Sequence, residues 1–109
     1  MVEFLQVFER INMLTGKQRS YLRGLAQKES PSVQIGKNGI TENVINEVDT
    51  LLEHRELVKV NIQESADLDA KETANILAAE LDAEFVQAIG RKFCLYRRAK
   101  EDPVIVLPR

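Results

Sequence analysis

The 109-residue sequence predicts a compact two-layer α/β domain with the element order α-β-α-β-α-β-β and a four-stranded mixed sheet. Three observations carry that expectation. Thr15, Thr41 and Asp69 are each placed to cap a helix whose apolar residues recur at helical spacing. Short runs rich in Val, Ile and Phe alternate with those helices. Glycine-bearing turns at 36–39 and 90–92 punctuate the strands.

Thr15 with Gln18 forms a capping box for a first helix that turns Leu22 and Leu25 inward and ends near Lys28. Pro31 opens a short strand over 32–35, closed by the turn Gly36, Lys37, Asn38, Gly39. Thr41 caps the second helix, Glu42 complements its positive end, and Val44, Ile45, Val48, Leu51 and Leu52 make its buried stripe. His54 and Arg55 suit its last turn, and 57–62 alternates as a strand. Asp69 with Glu72 starts a third helix that buries Ala74, Leu77, Ala78 and Leu81. Strands over 85–89 and 93–97 flank Gly90, Arg91 and Lys92, where a glycine first in the turn suits a type II′ hairpin. Residues 1–13 read as an N-terminal extension, helical or disordered, with Phe4, Leu5, Phe8 and Ile11 near helical spacing, and 101–109 read as an extended tail.

Hydrophobic residues at 44% and charged residues at 29% fit one domain with one core. The longest apolar runs span only a few residues, which predicts no membrane segment and no secretory signal and places the protein in the cytoplasm. Cys94, the lone cysteine, lies between Phe93 and Leu95 and reads as a buried strand thiol. One cysteine and one histidine, far apart, offer no metal-ligand spacing, so no metal and no cofactor are expected. No nucleophile and base stand in a catalytic arrangement, which predicts a protein that is not an enzyme; His54 reads as a helix-end group, and Glu53 and Glu56 as helix-surface charges.

A net charge of −2 argues against indiscriminate coating of polyanions, whose affinity sums over neutralised phosphates. The distribution is segregated. Lys17, Arg19, Arg23, Lys28 and Lys37 face only Glu29 within residues 15–40, and Arg91, Lys92, Arg97, Arg98 and Lys100 are unopposed within 90–100, whereas acids dominate between them. Glycines at 36 and 39 let a backbone approach phosphate closely, and the head of the second helix supplies free amides and the positive end of its dipole. A parallel crossover brings the two glycine turns to one edge of the sheet, where Lys17, Arg19, Lys37, Arg91 and Lys92 are expected to converge, with the acidic loop 64–69 weakening the field. Tyr21 and Tyr96 are the candidates for base stacking, so backbone and shape recognition is expected over sequence reading.

The segments LTGKQRSYLRGLA at 14–26, IGKNGITENVINEV at 35–48, EHRELVKV at 53–60 and IGRKFCLYR at 89–97 resemble the CRM domain, named for chloroplast RNA splicing and ribosome maturation, in its bacterial single-domain YhbY form. The similarity spans about residues 14 to 109, with the RNA-binding domain proper over 14–100. The resemblance implies a fold similar to the C-terminal domain of bacterial translation initiation factor three and a G-x-x-G loop comparable to that of KH domains. It implies a non-catalytic RNA-binding protein acting on ribosomal RNA of the large-subunit precursor, with a ribosomal protein as a further partner and no DNA specificity. By position it makes Gly36, Lys37, Asn38 and Gly39 a phosphate-clamping loop and Lys17, Arg19 and Arg23 an adjoining basic helix. Arg91, Lys92 and Arg97 complete the candidate RNA-binding set, together with Arg55 and Lys59, for which a structural role stays equally open.

Two features depart from the family pattern. The chain is mildly acidic where these domains tend to be basic, which points to a few placed contacts or a protein partner. Residues 1–13 lie outside the match and suggest an upstream extension or an alternative start at Met13. The rival reading is a protein-interaction module that docks on a ribosomal protein or self-associates through the acidic helices and residues 1–13.

Overall fold

The structure is a computed structural model, and it describes residues 14–109, so the readings of residues 1–13 lie outside the described residues. The elements are α1 (Gly16–Gln27), β1 (Val33–Ile35), α2 (Glu42–Arg55), β2 (Leu57–Ile62), α3 (Ala70–Leu81), β3 (Glu84–Ile89) and β4 (Lys92–Tyr96). This is the expected order.

Local sequence signals set each boundary. The Thr15 hydroxyl accepts from the Gln18 N–H at 3.1 Å while the Gln18 carboxamide accepts from the Thr15 N–H at 3.0 Å, which closes the capping box. Thr41 caps α2 by accepting from the Val44 N–H, and Asp69 caps α3 by accepting from the Glu72 N–H. Only two residues, Gly90 and Arg91, separate the paired Ile89 and Lys92. Gly90 has φ +61° and Arg91 does not have a positive φ, as a type II′ turn requires.

The sheet runs β1-β2-β4-β3, with β1 parallel to β2 and β4 antiparallel to both β2 and β3. β1, β2 and β3 therefore point the same way, and their C-terminal ends share one end of the sheet. The two-layer body is this sheet with α2 and α3, whose Val48, Leu52, Ala74 and Leu77 close on Val33, Ile35, Val60, Phe93 and Leu95. The other face carries a third, partial layer, because α1 packs Leu22 and Ala26 on Leu57, Val86, Cys94 and Tyr96 and is joined there by Ile105 and Leu107.

That partial layer is fastened by a residue that the sequence placed on the surface. Glu56 is fully buried, at φ +67°, immediately after α2. Its carboxylate accepts N–H bonds from Ala99 at 2.8 Å, Val104 at 2.8 Å and Ile105 at 2.7 Å. Burial raises its pKa, but those three backbone donors, aided by Arg98, outweigh it and hold the carboxyl below its ordinary value of 4.5. Glu53 likewise accepts from the Lys100 N–H at 2.9 Å and sits 3.9 Å from Arg97. Both acids anchor the C-terminal segment; neither is a free helix-surface charge.

Candidate nucleic-acid interface

The loop between β1 and α2 combines a tight backbone with an open approach. The Gly39 N–H donates to the Gly36 carbonyl at 2.9 Å, and Gly39 has φ +72°, a conformation that L side chains rarely adopt. A Cβ on Gly39 would meet nothing within 4 Å, so the space above it is free for a ligand. Gly36 is packed instead: a Cβ there would come within 3.0 Å of the Gln63 carboxamide oxygen. Lys37 and Asn38 are exposed, and the four loop residues line a shallow hollow of about 430 Å³ with Thr41, Val44, Gln63 and Ser65. The N-terminal end of α2 lies beside it, with the Val44 N–H capped by Thr41, and the positive end of the helix dipole there suits an anion.

The second glycine turn lies at the same end of the sheet. The Arg91 carbonyl accepts from the Ile62 N–H at 2.7 Å, and the Gln63 N–H donates to the Ile35 carbonyl at 2.8 Å, so both turns meet the end of β2. Their proximity agrees with the expectation from topology. The chemistry differs, because the Arg91 guanidinium donates to the carbonyls of Ile62 at 3.0 Å, Gln63 at 2.7 Å and Ala66 at 2.9 Å. It clasps the loop after β2, including the acidic stretch from Glu64 onward.

The convergence of five cations does not occur. α1 runs alongside β3 from Arg19, 3.8 Å from Glu84 at the start of that strand, through Arg23, whose Nε donates to the Val86 carbonyl at 3.4 Å. The start of α1 is tied to the C-terminal segment by the Gln18 amide, which donates to the Pro108 carbonyl at 3.0 Å. Lys17 and Arg19 therefore stand at the far end from Gly36, Lys37, Asn38 and Gly39. The parallel crossover brings the glycine turns together but does not set the direction of α1, which follows from burial of Leu22 and Ala26 against the sheet.

Several other cations are engaged within the fold. Lys59 donates to the carbonyls of Ala26 and Glu29, both at 3.3 Å, and so caps the end of α1. Arg55 donates to the Ser32 hydroxyl at 2.9 Å, beside the start of β1. Arg97 pairs with Asp49 at 2.7 Å and donates to the carbonyls of Leu81 and Asp49, joining the two helices beneath the sheet. Lys17, Arg23, Lys37 and Lys92 stay exposed. Tyr96 is buried, leaving Tyr21, 44% exposed on α1, as the accessible tyrosine. Cys94 is buried and its thiol is pushed up to about 11 by that burial, as an inert strand cysteine should be. Sequence reasoning missed Gln63 and Ser65 in the loop hollow, since no local pattern ties the end of β2 to residues 36–39.

Among the described residues no helix is long and apolar enough to cross a membrane. Residues 14–97 match the CRS1 / YhbY (CRM) domain model. A Bacillus subtilis protein named "Probable RNA-binding protein YqeI" is 38% identical over 96 residues, covering 88% of this chain and 100% of its own length. A Haemophilus influenzae protein named "RNA-binding protein" is 41% identical over 97 residues, covering 88% of this chain and 96% of its own length. The solution structure of the hypothetical protein SAV1595 from Staphylococcus aureus superposes with a TM-score of 0.74 at 47% identity, covering 87% of this chain and 99% of that one. With residues 14–97 matched by the family model and relatives of 38% and 41% identity covered over nearly their whole length, the chain belongs to the CRS1 / YhbY (CRM) domain family.

Proposed function

We propose that this protein binds structured RNA without catalysis, gripping backbone phosphate at Gly36, Lys37, Asn38 and Gly39, and that its target is ribosomal RNA of the large-subunit precursor during ribosome assembly. The observation that carries the reading is the unobstructed backbone at Gly39, at φ +72° with empty space where a Cβ would stand, beside the head of α2 and the exposed Lys37. The names of the relatives support RNA as the ligand class. Charge placement supports it too: α1 on one face of the sheet holds Lys17, Arg19 and Arg23 with no acid, whereas α2 and α3 on the other carry the acids. Binding to large-subunit precursor RNA at two salt concentrations tests the proposal. Affinity above that of an equally acidic control protein, weakening as salt rises, is expected; affinity equal to the control would refute it.

A protein-docking role is the second reading, and one observation favours it. Ile76 is 51% exposed on α3, one helical turn from Glu72 and one from Glu80, which makes an acid-apolar-acid stripe.

A further inference from the structure

α1 ends before the sheet beneath it does. Lys59 caps the helix at Ala26 and Glu29, and the next row of side chains on that face lies beyond its reach. The strand register names that row: Gln34 opposite Asn61, Asn61 opposite Lys92, and Lys92 opposite Ile89, in order across all four strands. Val33 and Ile35 turn into the α2 and α3 core, so Gln34 faces the α1 side, and Asn61 follows by alternation from Leu57 and Lys59. Gln34 and Lys92 are exposed, Asn61 is half-buried, and Ile89 is 66% exposed.

This row has the makings of a binding surface. The Asn61 amide nitrogen donates to the Gln34 carboxamide oxygen at 2.7 Å, which leaves the Asn61 side-chain carbonyl as an acceptor and the remaining N–H groups of both amides as donors for a ligand. At the β3 end the row opens into a hollow of about 300 Å³ lined by Gln27, Lys59, Gln87, Ile89, Lys92 and Cys94, within the size range of small-ligand sites. Its apolar floor and wall, carboxamides and lysines match a planar heterocycle attached to phosphate. The row starts next to Gly36, and three strand spacings, about 14 Å, separate its ends.

We propose that the open end of the α1 face binds an unpaired stretch of RNA continuing from the phosphate held at the glycine loop, with one base seated in the hollow against Ile89 and Gln87. This rests on the RNA-binding reading above and narrows its ligand to a junction of structured RNA with an unpaired strand. Lys92 neutralises phosphate along the path, and the amides of Gln34 and Asn61 meet base edges. Aliphatic and amide contacts replace the aromatic platforms that single-strand binders commonly use.

The test compares a blunt RNA hairpin with the same hairpin extended by a short unpaired oligouridine tail. The wild-type protein is expected to bind the tailed RNA about fivefold more tightly, well within what seating one base contributes. The double substitution Asn61→Ala with Ile89→Ser should abolish that preference while leaving affinity for the blunt hairpin unchanged. Ile89→Ser alone, at an exposed position, should reduce the preference and covers the case in which loss of the Asn61 contact unsettles the sheet. Equal wild-type affinity for the two RNAs, or a preference that survives in a folded Ile89→Ser variant, would overturn the proposal and leave the phosphate-loop reading standing. Failure of the wild-type protein to bind either RNA would instead overturn the RNA-binding reading itself.

Discussion

The two glycine turns at one end of the sheet have similar sequences but hold their cations differently. Each places a basic residue next to glycine, Lys37 after Gly36 and Arg91 after Gly90, and each contains a glycine at positive φ. Around residues 36–39 the backbone turns on itself, the lysine reaches solvent, and a helix N-terminus lies behind. In the hairpin the arginine folds back onto three backbone carbonyls and holds the loop after β2. A glycine-plus-cation motif is therefore a candidate site only when the cation has no acceptors waiting within the fold. The carboxylates show the same division: Glu56 is engaged by three amides inside the structure, whereas Glu42 rests exposed at the head of α2.

Breaking the engaged members should cost stability first. Glu56→Ala leaves three amides without their buried acceptor and should lower unfolding free energy by about 3 kcal/mol, read by chemical denaturation. pH sharpens the same point. The unfolded-state carboxyl takes up a proton near its ordinary value of 4.5 while the folded one, held lower, resists, so the contribution of Glu56 is full above that value and is lost as pH falls through the folded one. Melting temperature should therefore drop on acidification below about pH 4.5, and Glu56→Gln should flatten that acid limb.

Arg91→Ala is expected to cost about 2 kcal/mol, since a charged donor to three carbonyls is lost, yet the folded variant should bind RNA nearly as the parent does. A larger loss of affinity than of stability would reverse the roles assigned to the two turns. Lys37→Ala should do the opposite: no measurable change in melting, an affinity loss of less than about tenfold, and a salt slope lowered by about one phosphate contact.

Most of the fold was legible because its signals are local. Thr15 with Gln18, Thr41 and Asp69 act within one helical turn, and the Gly90 turn acts within one hairpin, so short-range sequence determines each element. The order of elements and the proximity of the glycine turns followed from crossover geometry. What stayed hidden depends on contacts distant in sequence. Glu56 meets Ala99, Val104 and Ile105 more than forty residues on, and Arg97 meets Asp49 across 48 residues. Neither partnership leaves a pattern near the residue itself, so a buried anchor read as a surface acid and the clasp made by Arg97 was not foreseen. The third layer was missed for the same reason: it consists of α1 and the C-terminal segment, which meet only across the finished sheet.

The phosphate clamp is tested most directly by the RNA affinity of Gly39→Asp, measured by filter binding to large-subunit precursor RNA alongside the parent, with melting curves for both. Aspartate is among the few residues that tolerate the left-handed conformation of Gly39, and no neighbouring atom obstructs its Cβ, so the variant should remain folded. It sets a negative charge where phosphate is proposed to lie, and affinity should fall at least about tenfold, or about 1.4 kcal/mol. A folded Gly39→Asp protein that binds as tightly as the parent would contradict the phosphate clamp and shift the main contact to the hairpin at Arg91 and Lys92.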